Sequence, residues 1–147
     1  MSYFQIYYHI VFSTRNRLPV LHKDRRKDLY NYLWGILKNK KCHLYRMGGV
    51  EDHLHILTSL PSTERLAYLV RDMKTASHSW IKSSGIFPGF PGWQGEYGAF
   101  TKSHSHCEEV VQYIKNQEVH HQKESFLDEF KRLLREEGIE FDENYLL

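Results

Sequence analysis

Apolar residues recur along this chain with a period of two in some stretches and about 3.6 in others, and each change of period marks an element. Residues 4–13 (FQIYYHIVFS) are a β-branched and aromatic run that predicts a central strand. A basic loop over 14–19 ends at Pro19. Leu29, Leu33, Ile36 and Leu37 then line one side of a helix over 23–39. Strands follow over 42–50 and 53–60, joined as a hairpin by a tight acidic turn at Glu51-Asp52, just after the Gly48-Gly49 pair. Pro61 to Glu64 signals another helix, with Ser62 or Thr63 as its cap. Leu66, Leu69, Met73, Ala76 and Trp80 carry it to residue 83. A Gly/Pro loop bounds a fourth strand over 97–102. Ser105 and Glu108 read as a capping box for a helix over 106–122. Phe126, Phe130, Leu133 and Leu134 give a last helix over 125–137, stopped by Gly138 before a nine-residue tail.

The order is β-α-β-β-α-β followed by two helices. It predicts an α+β, ferredoxin-like fold: a four-stranded antiparallel sheet with helices on one face and the other face open. One domain spans 1–147, divided into a core over 1–104, a helical segment over 105–123 and a C-terminal helix with tail over 124–147. Leu54 and Ile56 take the helix side of a mid-sheet strand, so His53 and His55 take the open side.

Composition narrows the class. Of 147 residues, 41% are hydrophobic and 26% charged, ordinary for a globular domain. Cys42 and Cys107 are too few for a disulfide scaffold, and no leader or spanning helix is read, so a cytoplasmic protein without membrane contact is expected. The net charge of +2 hides a gradient: the first fifty residues hold ten Lys/Arg against two Asp/Glu. Such a surface suits a polyanion, and an aromatic content of 14%, rich in Tyr, suits base stacking or plain β-sheet. Arg15, Arg17, Arg25, Arg26 and Lys74 are the candidate phosphate contacts; a solvated charge run is the competing reading.

Two groups carry possible chemistry. His53 and His55 project from one strand face about 7 Å apart, either as plain surface histidines or as a pair that converges on one cation. Tyr113, Gln117, His120 and His121 share a helical stripe, either an ordinary polar face or a reactive one. Taken together, two imidazoles and a carboxamide oxygen would give a divalent cation three ligands, with a phenol one turn away. His120 and His121 are alternative ligands or proton carriers, His9 reads as structural, and His104/His106 straddle a helix cap and read as a decoy. Asp52 could orient an imidazole. Beyond Glu51-Asp52 no acidic cluster is legible, which disfavours a water-using metal hydrolase.

The His53-Leu54-His55 strand, the WQGEYGAFTKS segment from Trp93 and Tyr113-x-x-x-Gln117 with the following His-His resemble the IS200/IS605-type single-tyrosine transposases of the HUH superfamily, over nearly the whole chain. The resemblance implies a homodimer with composite active sites that acts on single-stranded DNA with hairpin ends. It implies Tyr113 as nucleophile, and His53, His55 and Gln117 as ligands of Mg²⁺ or Mn²⁺. Cleavage would leave a 5′-phosphotyrosine and a free 3′-OH. A domesticated relative that processes chromosomal repeats, and a non-catalytic single-strand-binding module, are the alternatives.

Overall fold

The computed structural model describes residues 2–146; Met1 and Leu147, the ends of the expected domain and tail, lie outside them. Four strands form one sheet in the order β2-β3-β1-β4, with every neighbouring pair antiparallel. They are β1 (Tyr7–Ser13), β2 (His43–Gly49), β3 (His53–Ser59) and β4 (Gly98–Lys102). The two central strands are the most apolar, β1 and β3 each burying six of seven residues. The helices α1 (Lys23–Asn39) and α2 (Leu66–Ser84) cover one face, where Ile10, Phe12, Leu54 and Ile56 meet Leu29, Leu33, Leu69 and Met73. No helix among the described residues is long and apolar enough to cross a membrane.

The other face is not open. The helices α3 (Cys107–Lys115), α4 (Gln117–His120) and α5 (Phe126–Glu136) close over it. The cause lies in the sheet: Tyr7, Val11, Leu57 and Phe100 make that face apolar too, and α5 must bury its own Phe126, Phe130, Leu133 and Leu134. Glycines permit the close approach. A Cβ on Gly48 would meet Ile114 of α3 at 3.0 Å, and one on Gly98 would meet Phe130 of α5 at 2.6 Å. His53 and His55 therefore lie fully buried between sheet and helices instead of on an exposed surface.

Local differences have local causes. Neither Ser62 nor Thr63 caps α2; a turn occupies 62–63, and extended Arg65 precedes the helix. The helix expected over 106–122 is broken. His104–His106 form a 3₁₀ turn in which His106 Nδ1 lies 2.6 Å from Ser103 Oγ, and Glu108 accepts from Gln112, so no capping box forms. Asn116 then leaves helical geometry between α3 and α4. Ser125 caps α5 by accepting from Asp128 N–H, and Gly138 ends the C-terminal turn with φ 70°. Beyond it, Phe141 and Leu146 pack on the α5 cluster.

Candidate metal centre and tyrosine site

The centre is built on β3. The hairpin turn before it is pinned because Thr14 N–H donates to Asp52 O at 2.9 Å. That places the Asp52 carboxylate 2.7 Å from His53 Nδ1. Two residues on, His55 Nδ1 lies 2.8 Å from Nε2 of His9, which reaches across from β1. Both imidazoles are thus held at Nδ1 from behind, and both turn Nε2 inward, an arrangement common to metal-binding histidines.

The inward nitrogens meet α4 and α5. Gln117 places Oε1 3.0 Å from His53 Nε2 and donates its amide hydrogen to Glu129 Oε2 at 2.9 Å. Glu129, itself fully buried, sets Oε1 at 3.2 Å from His53 Nε2 and 3.0 Å from His55 Nε2. Its Oε2 accepts the hydroxyl hydrogen of Tyr113, and Arg132 Nη2 donates to the same phenol oxygen at 2.8 Å. The Tyr113 ring stands 5.7 Å from the His55 ring within one chain. A cleft of about 210 Å³, lined by His9, Lys102, Tyr113 and Arg132 among others, reaches the phenol from outside.

Burial and charge tune these groups against one another. Burial pulls the His53 pKa down, but Asp52 and Glu129 outweigh it and raise it to about 9. Burial pulls His55 down to about 4, further than Glu129 draws it back. Burial would push the Glu129 carboxyl up, yet His121, His53 and His55 hold it well below the usual range. The Tyr113 phenol is raised, first by burial and then by the Glu129 charge, with Arg132 opposing.

The residues fit a cation. Asp52 can only accept, so His53 carries its hydrogen on Nδ1, and the neutral imidazole then points a bare Nε2 at two oxygen acceptors. Only a second proton or a metal ion reconciles those three atoms. The ligand atoms of His53, His55, His121 and Glu129 lie within 4.8 Å of one another, a set that could hold a metal ion.

A family model described as IS200-like transposase matches residues 2–117. The chain belongs to that family. Two solved structures share the fold of this IS200-like transposase. A candidate transposase from Deinococcus radiodurans R1 is 24% identical with a TM-score of 0.63, over 79% of this chain and 93% of its own. A REP-associated tyrosine transposase bound to a REP hairpin is 16% identical with a TM-score of 0.63, over 82% of this chain and 72% of its own. No curated protein matches the chain at a significant level.

The transposase chain thus brings His53, His55, Tyr113 and Gln117 to one place, with His121 alongside. His120 pairs with Glu124 at 2.6 Å beside the tyrosine ring. His104 and His106 lie exposed on the 3₁₀ turn; His104 Nδ1 is 2.9 Å from the Tyr7 hydroxyl. The basic candidates scatter. On the first loop Arg15 is exposed and Arg17 half-buried, and Arg25 pairs with Asp28. Arg26 is only 3% exposed and is bound to Leu21 O, Glu118 and Glu51. Lys74 donates to the carbonyls of Gln94 and Glu96.

Two central residues escape the sequence reading. The sequence shows no acidic cluster beyond Glu51-Asp52, but the fold brings the lone acid Glu129 against both histidines. Its signal was present: an acid on the same stripe as Phe126, Phe130 and Leu133 is a buried acid, which needs partners. Arg132 carried no such mark.

Proposed function

We propose that this IS200-like transposase is a metal-dependent enzyme that cleaves and rejoins single-stranded DNA through Tyr113. The observation that carries the reading is the unbroken chain of close polar contacts from the phenol through Glu129 to the buried histidine pair. The phenol is poor as a nucleophile while protonated, and the adjoining carboxylate is positioned to take its proton as attack begins. Tyr113 Oη then bonds to phosphorus, the P–O3′ bond breaks, and the departing 3′ oxygen takes up a proton. The 5′-phosphotyrosine conserves the energy of the broken ester, so rejoining needs no nucleotide cofactor. Arg132 and Lys102 line the entry and would steady the phosphate charge. His53 and His55, with Gln117 adjacent, would hold Mg²⁺ or Mn²⁺. That ion, when bound, polarises the phosphate and stabilises charge on its non-bridging oxygens.

Single-stranded DNA is the proposed partner. A groove of about 640 Å³ between α1 and β2 sets Trp34, Tyr30 and Tyr45 among Lys23, Lys27 and Arg46, cations interleaved with stacking surfaces. Hairpin DNA is favoured by the REP-bound structure of similar fold, which also keeps open a role on chromosomal repeats. A homodimer that exchanges its tyrosine segment would give composite sites. The exposed 3₁₀ turn at 104–106 is the place for that hinge, because Phe87, Phe90 and Trp93 anchor the Gly/Pro loop in the core. The test is incubation of the protein with single-stranded DNA from the gene's own flanks. Nicking with a covalent adduct is expected, and Tyr113→Phe should bind the DNA but form no adduct. Metal-dependent nicking that persists in Tyr113→Phe would favour water as nucleophile.

A further inference from the structure

His121 follows α4, and its Nδ1 lies 2.6 Å from the backbone carbonyl of Glu124. A carbonyl oxygen only accepts, so that nitrogen carries the hydrogen and the neutral ring leaves Nε2 bare. Nε2 is buried, without a hydrogen-bonding partner, and faces Glu129 Oε1 at 3.1 Å. Lone pair against carboxylate at that distance is repulsive unless the ring takes a second proton or a cation lies between them. His53 repeats the arrangement from the other side, with its hydrogen pinned by Asp52 and its bare Nε2 at 3.2 Å from the same oxygen. His55 Nε2 completes the ring at 3.0 Å. Three imidazole nitrogens therefore surround one carboxylate oxygen, and as neutral rings at least two of them have no hydrogen to give it.

We infer that His121 and Glu129 join His53 and His55 as ligands, making a three-imidazole, one-carboxylate centre that selects first-row transition ions over Mg²⁺. The inference rests on the metal-dependent reading above and names the ion class and ligands of that same site. Imidazole nitrogen suits Zn²⁺ and neighbouring first-row ions such as Co²⁺, with Mn²⁺ bound less tightly, whereas Mg²⁺ prefers oxygen and retains its waters. Gln117 becomes a positioning residue: its amide links Glu129 Oε2 to His53 and keeps the carboxylate turned toward the histidines. His121 and Glu129 both fall after residue 117, where the family match ends, so the completing ligands lie in the C-terminal segment beyond it.

Cobalt(II) titration of the metal-free protein, followed by visible absorption and without DNA, tests this. Wild type should develop the band of a four- or five-coordinate ion, and excess Mg²⁺ should leave it in place. His121→Ala and Glu129→Gln should each weaken Co²⁺ binding by about 10²-fold, and Gln117→Ala by about tenfold at most. Circular dichroism checks each fold; if Glu129→Gln does not fold, His121→Ala decides alone. Wild-type affinity in His121→Ala, displacement by Mg²⁺, or no cobalt band at all would overturn the inference. Because no DNA is present, absence of a tyrosyl adduct in the cleavage assay would sink the strand-transfer reading and leave this result standing.

Discussion

Tyr113 gives its hydroxyl hydrogen to Glu129, and the same carboxylate turns its other oxygen toward the histidines. One side chain thus ties the phenol to the candidate cation site. The tie also restrains: burial first, and then the adjoining Glu129 anion, make the phenol harder to ionise, so its pKa is raised. Chemistry therefore depends on what neutralises Glu129.

Metal removal should separate binding from cleavage. With chelator, DNA retention in a gel-shift assay is expected to persist while nicking stops. Added Mn²⁺ should restore nicking in wild type but not in His53→Ala, whose site has lost an imidazole. Undiminished nicking in chelator would remove the metal from the reaction.

Arg132 touches the phenol oxygen at 2.8 Å and lines the cleft. Arg132→Ala should slow adduct formation by about 10²-fold, the usual cost of losing one charge-stabilising donor. If it meets a phosphate, the slope of log affinity against log salt should also fall by about one. Single-turnover cleavage and a salt series measure the two effects separately.

The metal-free protein should be most stable near pH 6.5. His53 is raised from 6.5 to about 9, so it holds its proton more tightly when folded. Its contribution is complete below 6.5 and is lost as pH climbs through 9, on the order of 3 kcal/mol by linkage. His55 is depressed to about 4, so its contribution is complete above 6.5 and is lost as pH falls toward 4. Urea melts in chelator across that range read both arms. His53→Gln should flatten the alkaline arm.

Gly98→Ala should cost about 1–3 kcal/mol, because its methyl group would collide with the Phe130 ring and push α5 off the sheet. A thermal melt gives the loss. An unchanged melting temperature would mean that α5 does not rest there.

The sheet and its two covering helices were legible because their periods are clean: residues 23–39 read as a helix and form one. The pairing of His53 with His55 followed from strand alternation alone. Closure of the second face was not legible, since the apolar positions of β1 and β4 that demand it read equally well as a one-sided sheet. Asn116 broke a helix whose side-chain period runs straight through it. Glu129 and Arg132 were missed for a related reason: their roles arise from α5 docking against α3, a contact between elements that no local period encodes.

Mass spectrometry of the trypsin-digested DNA–protein adduct bears on the nucleophile itself. A 5′-phosphorylated nucleotide should be found on the peptide containing Tyr113, attached through its phenol oxygen. Attachment at any other residue, or cleavage with no nucleotide retained on the protein, would overturn the tyrosine mechanism.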